Sequence, residues 1–284
     1  MSGPPTSEYA GYVDPNFPSP GGPDDASVII YGYRPSLALG ILGAVLFGLA
    51  FFGHSYRLFQ YRTWYFTPVM LGTAMEVVGY AFRLLSSQVN PYSVINFVVQ
   101  YFFIVIAPVF FSAAIYTVLT VFINRTKREY APLSPKLILW IFISCDVVAT
   151  ITQVAGAALI GVAASNGKDP TTPNNILLAG LAFQVFSFLV FCVCLGICLY
   201  RARKIVLSSL KAFTAALCAA TLLVYLRTCF RLAETAEGLT SALATHEAYF
   251  GSLEFAPIVI AVFILAIWHP GKWLPRHQDW NENI

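Results

Sequence analysis

Seven apolar stretches, separated by short polar loops, constrain this chain more than any other feature. They lie at about 35–52, 67–85, 94–123, 137–163, 176–200, 212–232 and 248–268. Each is near or above the ~20 residues that cross a bilayer as a helix. In hydrocarbon every backbone N–H and C=O must be satisfied by protein, and long apolar segments achieve this as helices. Only 11% of the residues are charged and 57% are hydrophobic, whereas soluble domains carry about 25% charged residues. That leaves too little polar surface to coat a soluble globule of 284 residues. The expected fold class is an all-α integral membrane protein, a seven-transmembrane-helix bundle over 31–275. Residues 1–30, rich in Pro, Gly, Ser and Asp, are expected to be a disordered extracellular tail, and 276–284 a short cytoplasmic one. Pro35 and Pro68 suit first helical turns, while Pro108 and Pro257 predict kinks within spans.

Orientation follows from the basic residues. Arg57 and Arg62 fall in the first loop, and Arg125, Lys127, Arg128 and Lys136 in the third. Arg201, Arg203, Lys204 and Lys211 fall in the fifth, and Lys272 and Arg276 follow the last span. Twelve cations thus share one side, and only Arg34 and Lys168 lie on the other. The N-terminus is therefore expected outside and the C-terminus in the cytoplasm.

Charges within the spans are the second constraint, because lipid penalises them and they must face protein and each other. Arg227, Arg231 and Glu234 repeat at i, i+4 and i+7, so they share a helical face. Glu247 and Glu254 are seven apart on the next span, as are Glu76 and Arg83 on the second and Asp146 and Gln153 on the fourth. Asn96 and Gln100 lie on the third, and Gln184 on the fifth. Counting depth from the shared outer loop puts Arg227 and Glu254 level, about 10 Å below the interface by helix rise. They are the expected ion pair, with Arg231 between the two levels. The candidate ligand-binding residues are Glu76, Arg83, Gln100, Asp146, Gln153, Gln184, Arg227, Arg231, Glu234, Glu247 and Glu254, read as one polar pocket at mid to outer depth. The competing explanation is an ion-pair network that fixes helix packing and touches no ligand.

Several chemistries are disfavoured. His54 and His269 fall at the inner side, His246 at the outer side and His277 in the tail, so no zinc site is expected from them. Cys192, Cys194 and Cys198 read as packing thiols rather than ligands. No Gly-x-x-x-x-Gly-Lys-Ser/Thr loop occurs, and the seventh span has no lysine for a retinal Schiff base. The third span ends without an acidic-Arg-Tyr triplet and the seventh lacks Asn-Pro-x-x-Tyr, which weakens a G-protein-coupled receptor reading. No enzyme activity, metal or cofactor is expected.

Four stretches carry a family resemblance. They are Glu76-Val77-Val78-Gly79-Tyr80-Ala81-Phe82-Arg83, Ala107-Pro108-Val109-Phe110-Phe111-Ser112-Ala113-Ala114-Ile115-Tyr116, the run from Asp146 through Gln153 to Gly156, and Arg227-Thr228-Cys229-Phe230-Arg231-Leu232-Ala233-Glu234. Gly238, Glu247, Glu254 and His269-Pro270-Gly271 follow. With these the chain resembles the fungal RTA1-like proteins, the lipid-translocating exporter family, over about 31–275. The resemblance implies seven helices with the N-terminus outside, a plasma-membrane setting, and resistance to toxic amphiphiles. It also implies translocation of amphipathic lipids such as sphingoid long-chain bases. The implied partners are the lipid bilayer and an amphipathic lipid ligand, with nothing pointing to nucleic acid. The alternative is a seven-helix sensor of an extracellular amphiphile.

Overall fold

The computed structural model describes residues 12–17, 22, 25–166, 168–238 and 241–274. Seven helices long and apolar enough to cross a membrane follow one another. They are α1 Leu37–Tyr61, α2 Thr67–Gln88, α3 Val94–Arg125, α4 Pro135–Ser165, α5 Thr171–Arg201 and α6 Lys211–Glu237. The last, α7, is the span Glu247–Trp273. There is no strand among the described residues.

Local chemistry sets the ends. The Ser36 and Ser93 side chains accept from the backbone N–H groups of Leu39 and Asn96, capping α1 and α3. Pro68 sits in the first turn of α2, as expected. α1 runs nine residues beyond its expected end at 52. The polar run that suggested a loop turns His54 inward, where Nε2 bonds the Val262 carbonyl at 3.1 Å. Arg62, in the left-handed region at φ 50, stops the helix.

α3 is the central helix, touching α2, α4 and α6, with Phe111, Ile115, Leu119 and Phe122 wholly buried. α2 packs between α1 and α3, α5 between α4 and α6, and α7 against α6 and α1. Gly43 lets the Tyr80 ring lie where a Cβ would stand, and Gly156 does the same for the Leu177 backbone. A Cβ on Gly48, Gly53 or Gly161 would meet nothing within 4 Å, so these glycines serve no close helix contact. Exposed Phe52, Trp140, Ile151, Phe186 and Leu222 give the bundle an apolar perimeter suited to lipid.

α7 is not a uniform helix. Phe250–Phe255 forms a π turn, and Pro257 follows it in the first turn of the α-helical part Ala256–Ile267. π turns of this kind recur at functional sites, and this one contains Glu254.

The expectation of a structureless tail over 1–30 is corrected where that stretch is described. Residues 12–17 and 25–36 lie across one end of the bundle, hereafter the capped end. Ala26 N–H donates to Tyr92 O and Ile29 N–H to Tyr12 O, both at 2.9 Å. Asn90 Nδ2 donates to both Asp25 carboxylate oxygens, and Arg34 pairs with buried Asp14 at 3.4 Å while donating to Ser87 O. Ile29, Tyr31 and Tyr92 form a small core there. The Pro, Gly, Ser and Asp content masked a few aromatic and aliphatic anchors. Residues 1–11 and the expected tail at 276–284 lie outside the described residues. The opposite end, with the loops after α1, α3 and α5 and the turn Pro270–Trp273, is the basic end.

Candidate charge-network site

The site begins with Pro108. A proline inside a helix has no N–H to give the carbonyl four residues earlier. Here that carbonyl is Ile104 O, and Arg227 Nη2 of α6 donates to it at 3.1 Å. Arg227 also donates to Glu254 Oε1 from Nε at 2.9 Å and from Nη2 at 2.5 Å. Both side chains are almost completely buried. The pair inferred from depth is thus present, with α3 as its third member.

Arg231, one turn on, donates to Glu234 Oε2 at 2.5 Å and reaches within 3.9 Å of Glu254 Oε2. Its guanidinium lies 4.8 Å from the Tyr101 ring centroid, a cation–π contact that offsets part of its desolvation. Glu76 of α2, also buried, is close enough to Arg227 and Glu254 to feel both charges. Among the described residues none of the ion pairs includes Glu76.

A second group sits towards the capped end. Arg83 Nη2 donates to Glu247 Oε1 at 2.5 Å and to the Tyr33 hydroxyl at 3.1 Å. The same guanidinium lies 4.2 Å from the Phe250 ring centroid. Glu247 also accepts from the Ser36 backbone N–H at 2.9 Å. It therefore ties α7 to the N-terminal end of α1, where a carboxylate is favoured by the helix dipole. Tyr31 donates to Gln100 Oε1 and accepts from the Ser86 hydroxyl. Burial pushes the Tyr31 phenol up to about 12 and raises that of Tyr33, whose shift is opposed by Arg83. Between the two groups Phe47, Tyr80, Phe250 and Phe255 pack ring against ring.

The expected single pocket is corrected in two respects. Gln153 and Gln184 bond each other at 2.8 Å between α4 and α5. Asp146 faces Tyr116 of α3, and neither carboxylate oxygen has a hydrogen bond of ordinary geometry. These three residues share depth with the network but not its helix faces, and no arginine bonds them. Nor is the network an open pocket. The space that reaches it is a notch of about 50 Å³ beside Tyr101, Arg231 and Glu234, enough for a few waters and far too small for a lipid. Side chains the sequence did not single out complete the site: Tyr31, Tyr33, Tyr101 and Phe250. Pro108, expected as a kink, is the sequence signal for a different contact, that of Arg227 with Ile104 O.

Comparison with known proteins adds the following. A family model described as RTA1 like protein matches residues 69–277. A sphingoid long-chain base transporter, RSB1, of Saccharomyces cerevisiae (strain Lalvin EC1118 / Prise de mousse) is 30% identical over 279 residues, covering 84% of this chain and 73% of the relative. Protein RTM1 of Saccharomyces cerevisiae is 26% identical over 224 residues, covering 76% and 71%. Protein RTA1 of Saccharomyces cerevisiae (strain ATCC 204508 / S288c) is 25% identical over 277 residues, covering 85% and 84%. No solved structure matches.

Proposed function

The chain belongs to the RTA1-like protein family, and from that premise we propose that it translocates amphipathic lipids with a cationic headgroup, of the sphingoid long-chain-base type. The reading places the N-terminus and the capped end outside the cell, the basic end in the cytosol, and the bundle in the plasma membrane. It involves no covalent chemistry and supports resistance to lipid-like toxic compounds.

The observation that carries the proposal is the charge balance of the network. Arg83, Arg227 and Arg231 each have a carboxylate partner in Glu247, Glu254 and Glu234, and Glu76 is the acid left over. An isolated carboxylate deep in a span is costly unless a counter-charge joins it. A long-chain base supplies an ammonium for Glu76 and a hydrocarbon chain for the apolar faces around it. The notch of about 50 Å³ makes this the closed arrangement. Headgroup entry requires the aromatic layer of Phe47, Tyr80, Phe250 and Phe255 to part, and the π turn that carries Glu254 is the element suited to that movement. Asp146, Gln153 and Gln184 are proposed as second contacts along the path.

The test is reconstitution of the purified chain into liposomes with labelled long-chain base. Movement between leaflets faster than in protein-free liposomes supports translocation. Saturable binding without movement favours the sensor reading and overturns this one.

A further inference from the structure

The transport reading leaves the basic end unused, and that end holds the larger of the two cavities described here, about 130 Å³. Its walls are chemically one-sided. Arg62 and Arg125 line it together with Thr63 and Tyr65, and among the described residues no carboxylate does. Among the described residues no acid pairs with either arginine. Three donor groups on these lining residues are buried with no hydrogen-bond partner among the described residues: Arg125 Nη1, Thr63 Oγ1 and the Tyr65 hydroxyl. Thr63 is 4% exposed, so water outside the cavity cannot serve it. Buried donors left unpaired are costly, and three on the walls of one space favour an occupant rich in acceptors.

The wall is also held in shape. A Cβ on Gly271 would lie 2.5 Å from Tyr61 Cβ and 2.8 Å from Thr63 Cγ2, so only glycine permits this approach of the last turn. Arg62, at the lip, is the one non-glycine residue with positive φ among the described residues, a conformation that needs support from its surroundings.

The helix dipole offers a simpler role for Arg125, because it closes α3 where a cation is favoured. That role does not account for an Nη1 turned away from solvent, nor for Thr63 and Tyr65. Water alone would fit the volume, since one molecule needs only ~10–15 Å³ of such space, but it brings no charge to two unpaired guanidinium groups.

We propose that this cavity binds a phosphate-class oxyanion, with Arg125, Thr63 and Tyr65 donating to its oxygens and Arg62 closing over it. The anion is either the headgroup of an anionic phospholipid at this face or a soluble phosphate. The proposal does not rest on the transport reading.

The test uses the full chain in phosphatidylcholine nanodiscs. In one arm inorganic phosphate is titrated at constant ionic strength and thermal stability is read. In the other, discs carry a minor fraction of phosphatidic acid and its retention over phosphatidylcholine is read by native mass spectrometry. Saturable protection by phosphate assigns a soluble anion, and selective retention of phosphatidic acid assigns a lipid headgroup. Either supports the site if Arg125→Gln weakens binding about tenfold, on the order of one lost charge-assisted hydrogen bond, while Lys127→Gln leaves it unchanged. If Arg125→Gln does not fold, Thr63→Val carries the test with the same expectation. No binding of either ligand by the wild type would overturn the proposal. So would an equal loss in Lys127→Gln, because binding would then be diffuse attraction to a basic surface.

Discussion

Arg227 donates to the one carbonyl of α3 that Pro108 leaves without a helical partner, Ile104 O, at 3.1 Å. A helix-breaking residue in one span thereby fixes the side chain of a cation in another, and that cation holds Glu254 of a third. The network is positioned by backbone chemistry as well as by charge.

Breaking the Arg227–Glu254 pair strands a buried charge, which costs roughly 3–5 kcal/mol. Arg227→Met and Glu254→Gln are each expected to lower the detergent melting temperature markedly, and the double variant to lose less than the sum. Strictly additive losses in a thermal-shift double-mutant cycle would contradict the pairing.

Pro108→Ala restores an N–H at position 108, which then competes with Arg227 for Ile104 O. The regained helix bond and the displaced arginine bond are of similar size, about 1 kcal/mol. Little net change in stability is expected, and Arg227→Met should cost less in the Pro108→Ala background than in the wild type. An unchanged cost of Arg227→Met would show that the proline and the arginine act independently.

How much of this was legible follows from what a helix pattern contains. Lipid dictates the spans, and rise per residue dictates depth, so Arg227 opposite Glu254 could be inferred by counting. Rotation about each axis is not encoded in depth. Depth alone therefore groups Asp146, Gln153 and Gln184 with charges they do not meet, because α4 turns Asp146 towards Tyr116 and Gln153 towards Gln184 of α5. Pattern alone does not pair Arg83 with Glu247, because their supports, Tyr33 and Ser36, sit beside an N-terminal stretch whose composition suggests no structure. The polar run after 52 reads as a loop that includes His54, although its ring faces Val262.

Tyr31 carries an alkaline signature. Its phenol moves from 10.0 to about 12 on folding, chiefly by burial, and Tyr33 moves the same way. A raised folded value means the contribution is complete below pH 10 and is lost as pH rises from 10 towards 12. Tyr31→Phe is expected to start about 1 kcal/mol less stable, since Gln100 and Ser86 lose their partner. It should then fall less steeply with pH than the wild type. Equal alkaline slopes in urea unfolding at stepped pH would contradict the buried hydrogen-bonded phenol.

The cation asymmetry between the two ends predicts which sides of the membrane they face. Engineered glycosylation acceptors before residue 12 are expected to be modified, and acceptors in the loop between α3 and α4 to stay bare. The reverse pattern in membranes from expressing cells would invert the orientation.

The central claim is that Glu76, the acid of the arginine network that no arginine pairs, takes the ammonium of the lipid. The most direct measurement compares wild type with Glu76→Gln, nearly isosteric, in liposomes carrying labelled long-chain base or its N-acetylated analogue, which has no charge. The account predicts that the wild type moves the amine faster than the analogue, and that Glu76→Gln cuts amine transport at least about tenfold, a difference near 1.4 kcal/mol. Its melting temperature should stay close to that of the wild type. Amine transport at the wild-type rate by folded Glu76→Gln would contradict it.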